Sequence, residues 1–261
     1  MATADPLDEV PPALCAQPWS AIPGLRHGFF GRQGGVSEGP WAALNLSAAV
    51  GDDPSAVARN WERVGAALPG IALVRMHQVH GARTVRVDSA AAAVGEADAM
   101  ITATPGVGLA VLTADCVPLL GVAVAHRAVL VAHAGWRGTL AGVAVAALTA
   151  AREELGIRPE DWRIALGPAI DGCCYEVQAH IGEALTTRWG AMPNAWRCVG
   201  QRGQLDLRLA NRAILCAHGV ADEDLITVGP CTSCRADAYF SHRRSGGRAG
   251  RQLSAIGFAP A

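Results

Sequence analysis

The chain has no lysine; all 22 of its basic residues are arginine. That excludes a lysine Schiff base and a P-loop lysine. Aromatics make up 5% of the 261 residues, charged residues 17%, and the formal net charge is -1. Such a balance offers no global field to nucleic acid or to an anionic membrane. Long apolar runs are missing as well. The greasiest stretch, residues 109–125, is broken by Asp115 and Pro118 and closed by His126 and Arg127. A membrane span needs about 20 apolar residues, so buried strands are expected there. The first ten residues hold Asp5, Asp8 and Glu9 and no basic residue. This is the reverse of a secretory leader, and a cytoplasmic protein is expected.

Hydrophobic residues make up 51%, too many for intrinsic disorder. The eight cysteines are irregularly spaced, and Cys173 and Cys174 are adjacent. Thiols and metal ligands fit this pattern better than a disulfide framework. The prolines at 6, 11, 12 and 18 suit an extended arm over residues 1–20, followed by one domain over 21–261. Asp52-Asp53-Pro54 opens a helix with Val57, Trp61, Val64 and Leu68 on one face, and Gly70 ends it. Strands are expected at 71–75, 84–87, 99–102, 109–113, 119–123, 128–132, 162–166, 225–228 and 251–258. Helices are expected at 139–155, 177–187 and 207–217. Several strands are apolar on both faces, which requires cover on both sides. The class is α/β or mixed α+β, a single domain of mixed sheets flanked by helices.

Three segments place reactive side chains where the backbone leaves a buried strand. They are Met76-His77-Gln78-Val79-His80-Gly81, Leu112-Thr113-Ala114-Asp115-Cys116-Val117-Pro118 and Val131-Ala132-His133-Ala134-Gly135-Trp136-Arg137-Gly138. The gaps from His80 to Cys116 and from Cys116 to His133 are too long for a zinc finger. They suit a site assembled by tertiary structure. Two imidazoles and a thiolate leave one tetrahedral position open, which is the catalytic form of a zinc site. Against this, Cys116 is also compatible with a small buried hydrophobe and the histidines with satisfied core residues. His77 shares a face with His80 if the segment is helical and opposes it if extended. His80 is read as the ligand and His77 as its neighbour or a lid.

Arg137 beside the glycine-rich turn is a candidate for phosphate, or it pairs with a carboxylate while Trp136 packs. The rigid loop from Gly167 to Val177 reads as a pocket wall, or as a tight turn in which Cys173-Cys174 is a pair of buried thiols. Cys231-Thr232-Ser233-Cys234 is a single C-x-x-C without the second pair a zinc ribbon needs. Arg243 and Arg244 follow as an anion site or a solvated face.

With these residues on the page, the chain resembles the laccase-domain family of purine nucleoside phosphorylases, the YfiH-type proteins once described as polyphenol oxidases. The resemblance runs from His27-Gly28-Phe29-Phe30-Gly31-Arg32-Gln33-Gly34-Gly35-Val36-Ser37 through Leu44-Asn45-Leu46, Gly51-Asp52-Asp53, Gln78-Val79-His80-Gly81 and Ala97-Asp98-Ala99. Its most specific motifs are Thr113-Ala114-Asp115-Cys116-Val117-Pro118 and Ala132-His133-Ala134-Gly135-Trp136-Arg137-Gly138. It ends in Phe240-Ser241-His242-Arg243-Arg244. Gly31, Asp171 and His242 depart from the family's usual residues and bear on substrate preference.

The resemblance implies an α/β domain related to cysteine-hydrolase-like toxins. It implies zinc on His80, Cys116 and His133, with purine nucleosides and phosphate as partners. Phosphorolysis of adenosine, inosine and methylthioadenosine follows, with adenosine deamination. Arg32, Asn45, Arg137 and Arg243 become candidates for substrate and phosphate, and Asp115 for proton transfer beside Cys116. Copper-dependent laccase activity, also ascribed to the family, fits poorly. The chain has eight histidines and no His-x-His pair; copper on the single Cys/His group is the alternative metal. A rival chemistry is a cysteine hydrolase or deamidase, with Cys116 as nucleophile and His133 as base.

Overall fold

The structure is a computed structural model that describes residues 10–260. Residues 1–9, where the expected arm begins and no leader is read, and Ala261 lie outside the described part. The chain opens with β1 (Ala13–Leu14), a turn of 3-10 helix that buries Trp19, and β2 (Leu25–Phe30). Residues 13–14 pair antiparallel with β2, so this stretch of the arm lies along the sheet.

Asp53 accepts a hydrogen bond from the Ser55 N–H and caps α1 (Pro54–Ala67), with proline in the first turn. Then come β3 (Ala72–Arg75), β4 (Thr84–Arg86), β5 (Ala99–Thr102), β6 (Val107–Thr113), β7 (Val117–Ala123) and β8 (Ala128–Ala134). The helix expected over 139–155 begins earlier and is split. Gly142, with φ 89°, ends α2 (Trp136–Ala141) and starts α3 (Val143–Leu155). Glycine adopts that left-handed conformation without a Cβ clash. The remainder is β9 (Arg163–Leu166), β10 (Glu176–Gln178), α4 (Ala179–Trp189), β11 (Trp196–Val199), β12 (Arg202–Leu205), α5 (Leu207–Ala217), β13 (Leu225–Thr227) and β14 (Gln252–Phe258).

The strands form a five-stranded sheet, β1-β2-β14-β6-β3, and a six-stranded sheet, β13-β9-β7-β8-β5-β4; β10-β12-β11 is a small third sheet. Both large sheets mix parallel and antiparallel pairs. Alternation along the strands sorts their side chains into separate cores. Leu109 and Val111 of β6 meet Leu120, Val122, Val129 and Val131 between the two large sheets. Ile101, Leu119 and Leu130 face α3 and α5 on the far side of the six-stranded sheet. Phe30, Ala110 and Leu253 face Val64 of α1 and Leu68 at its C-cap on the far side of the five-stranded sheet. The result is four layers, helix, sheet, sheet, helix, and it explains the strands that are apolar on both faces. The expected α/β class of mixed sheets with flanking helices is what the structure has.

Candidate metal and substrate site

β6 belongs to the five-stranded sheet and β7 to the six-stranded one. The chain changes sheets in three residues, Ala114-Asp115-Cys116. Asp115 turns this corner with φ 95°, a conformation that costs a non-glycine residue energy. β3 and β8 end at the same seam. After β3 the chain runs extended, with His77 bridged to Glu96, and turns at His80 with φ 61°. β8 carries His133, and Gly135 follows it directly. His80, Cys116 and His133 thus converge, with their donor atoms within 4.8 Å of one another. The two imidazoles sit edge to face, ring centroids 4.7 Å apart. His77 is not in this donor group, since the extended backbone sends it elsewhere.

Asp98 organises the cluster from beneath. It is fully buried and accepts from the N–H groups of Val79 (3.2 Å), His80 (2.9 Å) and Gly81 (2.6 Å). Its Oδ1 also lies 2.8 Å from His133 Nδ1. Burial opposes the charge on Asp98, but the hydrogen bonds from His133 and the loop N–H groups outweigh it and hold its pKa below the ordinary value. A carboxylate on Nδ1 fixes the His133 ring and leaves its other nitrogen for a ligand. Sequence reasoning reached Ala97-Asp98-Ala99 only as part of the resemblance and gave Asp98 no role.

Cys116 and His133 polarise each other. Burial pushes the Cys116 thiol up, yet the charge and hydrogen bonds of His133 and His80 bring it down to about 6. Burial pushes His133 down, and Cys116 with Asp98 raises it to about 9. The thiol is therefore primed as a thiolate, the form that binds metal or attacks carbon. Gly135 keeps the space open. A Cβ there would lie 2.8 Å from Cys116 Sγ and 3.1 Å from the His80 ring.

This donor set suits one tetrahedral ion with one position free. It suits a multinuclear copper centre badly: the only other group of three or more metal-type donors among the described residues is made of cysteines alone.

The rim carries cations. Arg137 is exposed and stacks on Trp136, 4.3 Å from the ring centroid. Arg243 stacks on Tyr175 at 4.8 Å and donates to the Glu176 carbonyl. Tyr175 feels Cys116, Arg243, Asp115 and Arg137 together, and burial above all pushes its phenol up to about 12. Asp115 accepts from Thr232 Oγ1 (2.6 Å) and from the Arg243 N–H (2.7 Å). Arg32 donates to the carbonyls of Ala42 and Ala236 and stacks on Phe240. Asn45 is fully buried; it donates to Asp52 and accepts from the N–H groups of Ser47 and Arg251. Of the residues read for substrate, Arg137 and Arg243 are the two whose charges reach Tyr175 alongside Cys116 and Asp115, while Arg32 and Asn45 are bonded into loop backbone. Tyr175 and Arg251 were not singled out by the sequence. An aromatic beside Cys173-Cys174 and an arginine next to the last strand were the only signals.

Fold and site together define an α/β protein with an open His/Cys/His centre at the seam of two sheets. The chain belongs to the family described as multi-copper polyphenol oxidoreductase laccase, whose sequence model matches residues 26–259. The resemblance seen in the motifs is thereby borne out. Purine nucleoside phosphorylase YlmD of Geobacillus stearothermophilus is 39% identical over 244 residues, 88% of this chain and 89% of the relative. A purine nucleoside phosphorylase of Deinococcus radiodurans is 41% identical over 248 residues, 94% of this chain and 92% of that one. Among solved structures, YlmD superposes with a TM-score of 0.86 at 38% identity, covering 92% of this chain and 93% of its own. A hypothetical protein YfiH of Bacillus licheniformis gives 0.88 at 30%, covering 97% and 98%.

Proposed function

We propose that the protein is a zinc-dependent purine nucleoside phosphorylase that also deaminates adenosine. The convergence of His80, Cys116 and His133 over the Asp98 carboxylate carries the reading. The names of the relatives support the substrate class. Two imidazoles and a thiolate match zinc, which supplies Lewis acidity and acidifies a water at an open position. Asp98 holds the His133 tautomer and the backbone of the His80 turn.

In phosphorolysis a phosphate oxygen bonds to the anomeric carbon of the ribose. The bond to the purine nitrogen breaks, and the purine takes a proton. Adenosine, inosine and methylthioadenosine would each give the free base and the sugar 1-phosphate. Arg137 and Arg243 are the cations for phosphate, and the raised phenol of Tyr175 stays a neutral donor between them. Asp115 is the candidate for proton transfer, and its bond to the Arg243 N–H couples it to the phosphate side. Arg32 and Asn45 act on substrate through the loops they brace, Asn45 through the Arg251 N–H. Deamination adds water at C6 of adenine and releases ammonia. Eight free cysteines suit a reducing cytoplasm.

The Cys116 thiolate beside a protonated His133 favours one second reading, a cysteine hydrolase. A single experiment separates the two. Protein purified without added metal is assayed for bound metal by mass spectrometry and for phosphate-dependent release of hypoxanthine from inosine, before and after His80→Ala. Bound zinc at this site with turnover, both lost in the variant, is expected. Hypoxanthine release that needs no phosphate, survives chelation and His80→Ala, and stops on alkylation of Cys116 would establish the hydrolase instead.

A further inference from the structure

Four cysteines take no part in the chemistry above, and the fold brings them to one point. β9 and β13 are parallel neighbours, so the loops that follow them leave the sheet at the same end. The ladder continues as a bridge between Ala169 and Cys231, with the Thr232 N–H donating to the Ala169 carbonyl at 2.9 Å. From there the two loops curl together. Cys173 and Cys174 of one loop and Cys231 and Cys234 of the other place all four sulfurs within 4.8 Å of one another.

The spacing has a chemical meaning. Cys173 Sγ lies 3.7 Å from Cys174 Sγ and 3.7 Å from Cys234 Sγ; Cys174 and Cys234 are 3.4 Å apart. A disulfide requires about 2.05 Å. Four thiolates on a tetrahedral zinc, with Zn–S bonds of about 2.3 Å, stand about 3.8 Å from one another. The observed separations fall near the tetrahedral edge and far from a disulfide. The Asp171 N–H donates to Cys231 Sγ at 3.4 Å, a contact that stabilises a thiolate. Cys231 is buried and Cys174 half-buried, while Cys173 and Cys234 are exposed and give an ion its way in. Arg244 donates to the carbonyls of Thr232 and Ser233, which sets a cation on the loop between two of the thiols. The sequence shows a lone C-x-x-C and a pair of buried thiols. The vicinal pair is neither fully buried nor alone: it is the missing half of a four-sulfur set.

We propose that Cys173, Cys174, Cys231 and Cys234 form a structural tetrathiolate zinc site, separate from the His80–Cys116–His133 centre and independent of the reaction assigned to it. Each thiol releases its proton to solvent as it ligates, up to four protons per ion. The site pins two loops that both hold the Asp115 corner. The Ile170 N–H donates to the Asp115 carbonyl, and Thr232 Oγ1 donates to its carboxylate. The ion therefore stiffens the wall from which Arg243 and Tyr175 project.

The test counts zinc in protein purified under reducing conditions, as wild type, His80→Ala and Cys173→Ser/Cys234→Ser. The proposal expects zinc to persist at one per chain in His80→Ala and to fall by one in the double cysteine variant. Cobalt(II)-loaded His80→Ala should show an intense thiolate-to-cobalt charge-transfer band, and its Tm should drop when a strong chelator strips the ion. Should His80→Ala not fold, the count and the cobalt spectrum of wild type against the cysteine variant decide. Equal zinc and equal spectra in those two proteins would overturn the proposal. So would the four cysteines emerging as disulfides in freshly isolated protein. Loss of nucleoside turnover with the tetrathiolate intact would strike only the phosphorylase reading.

Discussion

Asp98 shows how much one buried carboxylate can organise. Four donors converge on its two oxygens, three from the His80 turn and one from His133. Asp98→Asn keeps the shape but presents an amide N–H to one of these donors, so the His133 ring loses its fixed orientation. Metal affinity is expected to fall by about 10- to 100-fold, read by competition with a chromogenic chelator. Gly135 makes the opposite kind of contribution, by having no side chain. Gly135→Ala would drive a methyl into Cys116 Sγ and the His80 ring. Its expected outcome is loss of the bound ion with an unchanged far-ultraviolet circular dichroism spectrum. Unchanged metal content in that variant would show that the cluster can shift to make room.

The elements differ in how plainly the sequence announces them. α1 and α5 are legible because both carry their own signals: an aspartate cap at each start and an apolar face along the length. The strands from β5 to β8 are legible because they are buried on both sides. β2 is not: Arg26, His27 and Gly28 interrupt its apolar pattern, and its burial comes from β1 and β14 on either side. The hairpin of β11 and β12 is hidden by its polar residues, and only Gly200 marks its turn. Of the site, His80, Cys116 and His133 could be read locally, since each sits at a strand end beside glycine or proline. Asp98 and Tyr175 could not, because their roles arise from contacts across the fold. His27 in β2 has a consequence of its own. Its Nε2 accepts the Ala16 N–H at 3.1 Å, and burial holds its pKa below the ordinary value. Unfolded His27 binds its proton near pH 6.5, before the folded form does. Stability is thus fully present above about pH 6.5 and is lost as the pH falls toward the lower folded value. His27→Gln should flatten this acid limb in melting curves recorded between about pH 5 and 7.5.

At the scale of the molecule, the site depends on residues far apart in the chain. Thr232 reaches Asp115 across 117 positions. Thr232→Val keeps the volume and removes the donor, leaving a buried carboxylate oxygen without a partner. A cost of about 1–3 kcal/mol in urea unfolding is expected, with zinc content unchanged and nucleoside turnover reduced through the loosened Arg243 segment. The last strand, β14, is inserted between β2 and β6 and supplies the middle of the five-stranded sheet. While the chain is still being synthesised, β2 and β6 therefore have no neighbour to join them, and β6 is the strand that leads into Asp115-Cys116. A nascent chain on the ribosome holds all three ligands of the His/Cys/His centre long before it can fix their positions. Pairing with β14 is thus what completes the sheet behind the Cys116 corner, after every residue of the His/Cys/His group has already been made.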